Sequence, residues 1–135
     1  MVSVQVNYLA VLIAGIGIWV TGAVWYGVLF GERWIAAIEK TREQAGKSLK
    51  PMVTSFIANL VMAFALACVI ATASGGSPTL ATGIESGFLV ALGFVVTAEV
   101  VANGFENRPL ALTFINGGYW LLSFIVGGAI IGFFG

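Results

Sequence analysis

Four long apolar stretches dominate this chain, at roughly residues 7–30, 52–72, 83–103 and 110–133, and Glu85 and Glu99 are the only charged residues inside them. A helix that crosses the hydrocarbon core of a bilayer needs about 20 mostly apolar residues, and each stretch supplies them. Lipid offers no hydrogen-bond partners, so a spanning segment is either a helix or part of a closed barrel. Barrel strands alternate in hydrophobicity over about ten residues. The segment "FIANLVMAFALACVIATA" (56–73) does not alternate. The expectation is therefore all-α: an integral membrane four-helix bundle, with residues 1–135 forming a single transmembrane domain.

Composition agrees. The chain is 59% hydrophobic and 9% charged, where a soluble domain carries about 25% charged residues, so lipid rather than water is its solvent. Six Lys and Arg balance six Glu, for a net charge of zero. That balance calls for no nucleic-acid partner. Cys68 is the single cysteine and histidine is absent, which removes intrachain disulfides and Cys/His metal centres. With no nucleophile–base pair, phosphate loop or metal cluster, the reading is non-enzymatic, with no catalytic residue, no cofactor and no metal. Residues 1–30 do not read as a signal peptide, because the n-region lacks Lys and Arg and the apolar run is too long for an h-region.

The basic residues set an expected direction. Arg33, Lys40, Arg42, Lys47 and Lys50 lie between the first two spans and Arg108 between the last two, while the N-terminus, the "SGGSPT" connection (74–79) and the C-terminus carry none. The positive-inside rule places loops 31–51 and 104–109 in the cytoplasm and both termini outside. Localisation is expected to be the bacterial cytoplasmic membrane, multi-pass. Trp25, Tyr26 and Trp34 fit an aromatic belt at the inner interface. The connection 32–50 reads as a short amphipathic helix on the inner leaflet, with Glu43 and Lys47 at the favourable i, i+4 spacing and Gly46 as its stop.

Two pairs of segments match. "PMVTSFIAN" (51–59) aligns with "PLALTFING" (109–117), and more weakly "GIWVTG" (17–22) with "GFVVTA" (93–98). Such a match suggests a parallel repeat of two helical hairpins.

The polar residues within the spans carry the functional interest. Glu99 lies four residues from the inner end of span three, about 6 Å by helical rise. Asn59, Asn116 and Thr21 fall at comparable depth in the other spans. The four define a candidate intramembrane polar layer, in which Asn116 is the preferred partner of Glu99 and Asn59 the second. A neutral Glu99 can donate to an Asn carbonyl while the Asn amide donates back. On an uninterrupted helix, Glu85, Glu99, Asn103 and Glu106 share one stripe, and Gly83, Gly87, Ala91 and Ala98 occupy the opposite side. Gly27/Gly31, Gly83/Gly87 and Gly128/Gly132 repeat at the four-residue spacing that lets helices approach closely. A homo-oligomer, most simply a dimer, is expected through Gly83, Gly87, Ala91, Gly128 and Gly132. Trp19 and Trp120 lie near mid-bilayer, where core packing is the expected role.

The stretches "NYLAVLIAG", "GAVWYGVLFGERW" and especially "GFENRPLALTFINGGYWLLSFIVGGAIIGFF" resemble the bacterial domain-of-unknown-function 1761 family. The resemblance covers nearly the whole chain and implies four membrane helices. It implies no mechanism and no catalytic residues. Function therefore rests on the residues. The first reading is a self-associating or accessory membrane protein. The alternative is a small oligomeric channel, carrier or ligand-binding bundle that uses the intramembrane carboxylate, with its small-molecule or ion ligand unknown.

Overall fold

The computed structural model describes residues 6–38 and 49–135, and the described residues form helices and short connections without strands. The helices are α1 (Tyr8–Val24), α2 (Gly31–Ile38), α3 (Leu49–Ala73), α4 (Leu80–Val90), α5 (Thr97–Phe105) and α6 (Leu110–Phe134). A π-helical turn, Trp25–Leu29, continues α1, and a second, Ala91–Val96, joins α4 to α5. Four continuous helical segments are long and apolar enough to cross a membrane: Tyr8–Leu29, Pro51–Ala73, Leu80–Phe105 and Leu110–Phe134. These are spans one to four, and they agree with the expected boundaries to within a few residues. The expected helix stop at Gly46 and the Glu43–Lys47 pair lie outside the described residues.

Local chemistry sets the helix ends. Asn7 caps span one by accepting from the backbone N–H of Leu9 and Ala10 at 3.1 and 3.2 Å, which satisfies two of the orphan donors of a helix start. Its Nδ2 also donates to the Phe134 carbonyl at 3.0 Å, tying the start of span one to the end of span four. Thr79 caps span three through the Thr82 N–H at 3.1 Å. Span three ends at a left-handed Asn107 (φ 54°), where the Arg108 N–H reaches back to the Asn103 carbonyl at 2.9 Å. That is the Schellman closure of a helix C-terminus, and Pro109 then prevents continuation.

Span four is the hub. It packs most closely on span three and span one, while span one also packs on span two. Burial follows: 44% of the apolar window of span four is covered by the chain, against 11% for span three. The half of the bundle on the side of the chain termini has an apolar core. Val11, Ala14, Ile18, Ala63, Leu66, Ile70, Phe124 and Ile131 interdigitate there. Lipid tails are as apolar as these side chains, so close dispersion contact rather than escape from water holds this half together.

Gly83 and Gly128 make the closest approach. A Cβ built on either would lie inside the van der Waals envelope of the other's carbonyl oxygen; Gly87 stands in the same relation to Phe124 and Gly132 to Thr79. The small-residue faces expected to join two copies are thus packed against each other within one chain. The close approach that the glycine spacing permits is made here between spans three and four of the same chain. Its indoles also part ways. Trp120 packs between Tyr119 and Phe124, at 4.7 and 6.3 Å. Trp19 is 39% exposed on the outer surface, edge-on to Phe56 at 5.7 Å.

The two halves do not repeat in detail. The π turn of span one falls at its C-terminal end and that of span three falls mid-span.

Candidate functional site

The π turn in span three decides where Glu99 points. An α-helix advances roughly 100° per residue. A π turn closes i to i+5 and accommodates one additional residue, so everything downstream is rotated by about one residue step. Above Ala91–Val96, span three presents Gly83, Gly87 and Ala91 to span four, and all three are buried. An unbroken helix would next present Ala98 and Ala102 on that side, yet both are exposed. Glu99 is half-buried instead, and Asn103 is 5% exposed. The small side and the polar side, opposite each other on an ideal helix, become one continuous side facing span four. Glu85 loses its place on the stripe and is exposed.

The other π turn, Trp25–Leu29, begins at two aromatic residues that meet span four. Trp25 and Tyr26 are half-buried, and each reaches span four with its polar atom. The Trp25 indole N–H donates to the Ile115 carbonyl at 2.9 Å. Tyr26 Oη donates to Asn116 Oδ1 at 2.6 Å. Consecutive residues of span one therefore grip consecutive residues of span four. Trp34 of α2 then packs edge-on against the Tyr26 ring, at 5.1 Å.

Asn116 joins the pieces. Its Nδ2 donates to Glu99 Oε1 at 2.7 Å. The same carboxylate oxygen accepts a longer bond, 3.4 Å, from Asn103 Nδ2, which also donates to Thr113 Oγ1 at 3.0 Å. Tyr26, Asn116, Glu99, Asn103 and Thr113 form one hydrogen-bonded cluster across spans one, three and four. Donation runs from Tyr26 through Asn116 to the carboxylate, so each bond polarises the next.

Of the four residues expected in a polar layer, the structure joins Glu99 and Asn116 directly and leaves the other two aside. The Asn116 amide donates to Glu99, as one half of the expected pair requires, and its carbonyl accepts from Tyr26. Asn59 is buried, but no described hydrogen bond links it to Glu99 or Asn116. Thr21 returns its hydroxyl to the Gly17 carbonyl at 2.7 Å, the local bond that Ser and Thr make within helices. Glu106 pairs with Arg108 at 3.3 Å in an exposed ion pair, an arrangement of small energetic weight. No group of three or more potential metal ligands occurs among the described residues.

A family model described as "Protein of unknown function (DUF1761)" matches residues 9–132. The chain belongs to this family. No curated protein and no solved structure matches it. The family brings no activity, so the cluster itself must carry the functional reading.

Sequence reasoning missed Tyr26 and Thr113 as members of the cluster. Tyr26 was assigned to the interface by its position near a span end. Its proximity to Trp25 at the start of a π turn carries no sequence signal that periodicity can detect.

Proposed function

We propose that this is a non-enzymatic, multi-pass protein of the bacterial cytoplasmic membrane, with both termini outside, that binds a cationic group at Glu99. One observation carries the reading: Glu99 is half-buried within a span, and the side chains that hydrogen-bond it, Asn116 and Asn103, are both neutral. A charged side chain within the bilayer costs about 2.5 kcal/mol or more without compensation. An ammonium or guanidinium from a ligand, or from the span of a partner protein, supplies that compensation. Oε1 is already engaged by the two amides. Oε2 takes part in none of the described hydrogen bonds and is the atom for the incoming donor. A carboxamide, Asn116, stands between the Tyr26 hydroxyl and Glu99, and an amide does not pass protons as a carboxyl or imidazole does, so Tyr26 is not a proton donor to Glu99 by this route.

The test uses dodecylammonium, with dodecanol as the uncharged control, on protein in phosphatidylcholine nanodiscs. Ligand that binds only the folded state raises the melting temperature. Dodecylammonium should stabilise the wild type more than Glu99→Gln, and dodecanol should not distinguish them. An equal shift in both proteins would rule out Glu99 as the cation site.

Self-association is the second reading. The sparse burial of span three favours it, together with a shallow groove on its outer side lined by Gly93, Phe94, Thr97, Ala98, Val101 and Ala102. Gly93 has open space around it. Gly93→Leu should lower the oligomer mass in mild detergent if a second copy packs there, and a mass unchanged from that of an oligomeric wild type would remove this face from consideration.

A further inference from the structure

We propose that the open groove between the end of span one and the start of span four is a binding site for one anionic phospholipid, with an acyl chain along Trp25, Phe114 and Gly118 and the phosphate on Arg33.

The groove offers about 630 Å³ and is lined by Trp25, Phe30, Ala36, Phe114, Ile115 and Gly118, among others, with Arg33 the one charged residue among the described residues that line it. That volume falls within the roughly 300–1,000 Å³ of small-molecule sites. Its position matters as much as its size. Span one ends at Leu29 and span four begins at Leu110, so the groove straddles the boundary where hydrocarbon gives way to headgroups. An apolar trough with a cation at the water-facing end matches an amphiphile of opposite charge. A guanidinium is also the side chain best shaped to grip a phosphate, through two parallel N–H bonds. Arg33 opens the connection in which five of the six basic residues lie, and basic pockets beside spans on the cytoplasmic side recruit acidic lipid headgroups.

The walls are held ready for an occupant. The Trp25 indole N–H is committed to the Ile115 carbonyl, and Phe30 lies 4.4 Å from the Trp25 ring, centroid to centroid. Gly118 permits this placement, since a Cβ there would lie 2.9 Å from Trp25 Cζ2. With its donor satisfied internally, Trp25 offers the groove only its apolar ring. Arg33 is then the group that reads the headgroup. A rigid site spends less ordering entropy on binding.

The experiment is native mass spectrometry of the detergent-solubilised chain titrated with phosphatidylglycerol, phosphatidylcholine or inorganic phosphate. The wild type should retain phosphatidylglycerol about five-fold better than phosphatidylcholine, the effect of about one basic residue at an anionic surface. Arg33→Gln should abolish that preference while still retaining lipid. Ala111→Phe, which fills the groove, should reduce retention of both lipids; should it fail to fold, Ala36→Phe fills the same groove from α2. Equal retention of the two lipids by the wild type would overturn the proposal. So would undiminished phosphatidylglycerol binding in the groove-filling variant. Displacement of phosphatidylglycerol by inorganic phosphate would overturn the lipid assignment and leave a free-anion site.

Discussion

Asn116 is the residue whose replacement tests the polar cluster most sharply. It makes two interhelical side-chain bonds, accepting from Tyr26 at 2.6 Å and donating to Glu99 at 2.7 Å. Leu repeats the branched skeleton of Asn with the same number of side-chain heavy atoms, so Asn116→Leu removes both bonds without opening a cavity. Interhelical hydrogen bonds in membranes average about 0.6 kcal/mol and reach about 1.7 kcal/mol. Two of them put the expected loss near 1.2 kcal/mol, with an upper bound of about 3.4 kcal/mol. Tyr26→Phe deletes one bond and should cost about half as much. Because Asn116 bridges the other two residues, the double variant Tyr26→Phe/Asn116→Leu should cost little more than Asn116→Leu alone, a non-additivity expected of groups sharing one network. Glu99→Gln keeps an acceptor for the Asn116 amide and removes the uncompensated charge, so without an added cation it should melt at or above the wild type, whereas Glu99→Leu strands that amide and should lose about 1–3 kcal/mol relative to Glu99→Gln. Equilibrium unfolding in mild detergent, followed by tryptophan fluorescence, reads all five variants. Additive costs for Tyr26→Phe and Asn116→Leu would refute the bridge. An Asn116→Leu protein as stable as the wild type would refute the whole energetic role of the cluster.

Three further outcomes are expected. Gly83→Leu or Gly128→Leu should destabilise the single chain by at least the roughly 1–3 kcal/mol of an overpacked core, since each glycine faces the other's backbone; a wild-type melting curve for both would contradict the packing. Cysteine labelling in a Cys68→Ala background should find Ser77→Cys reactive from outside and Lys47→Cys only from inside, as the basic-residue asymmetry requires, and the reverse pattern would invert the topology. Ser123 Oγ is fully buried, and its one candidate partner is the Tyr119 hydroxyl, which does not meet it in good hydrogen-bond geometry, so Ser123→Ala should change stability by less than about 1 kcal/mol; a larger loss would mean that the hydroxyl holds that bond.

The sequence by itself determined that this is a four-span helical membrane protein, and nearly where each span begins and ends. Those properties are local. Apolar length decides what can cross a bilayer, and Asn7, Thr79 and Pro109 end or start helices through bonds made or refused within a few residues. Depth along a span is also additive, at a fixed rise per residue, which is why Glu99 and Asn116 could be placed at one level and paired. Rotation about the helix axis is different. Tertiary packing decided it, because the π turn at Ala91–Val96 shifts the phase of all that follows. Periodicity assumes an unbroken helix, and so it put Gly83 and Glu99 on opposite sides when both face span four. Periodicity likewise could not say that Tyr26 turns inward. Nor could it say whether the neighbour of Gly128 belongs to another copy or to the same chain. A small-residue face states only that a backbone can come close. Which backbone comes close depends on how the spans are arranged around span four, and that is a property of the assembled bundle rather than of any one segment.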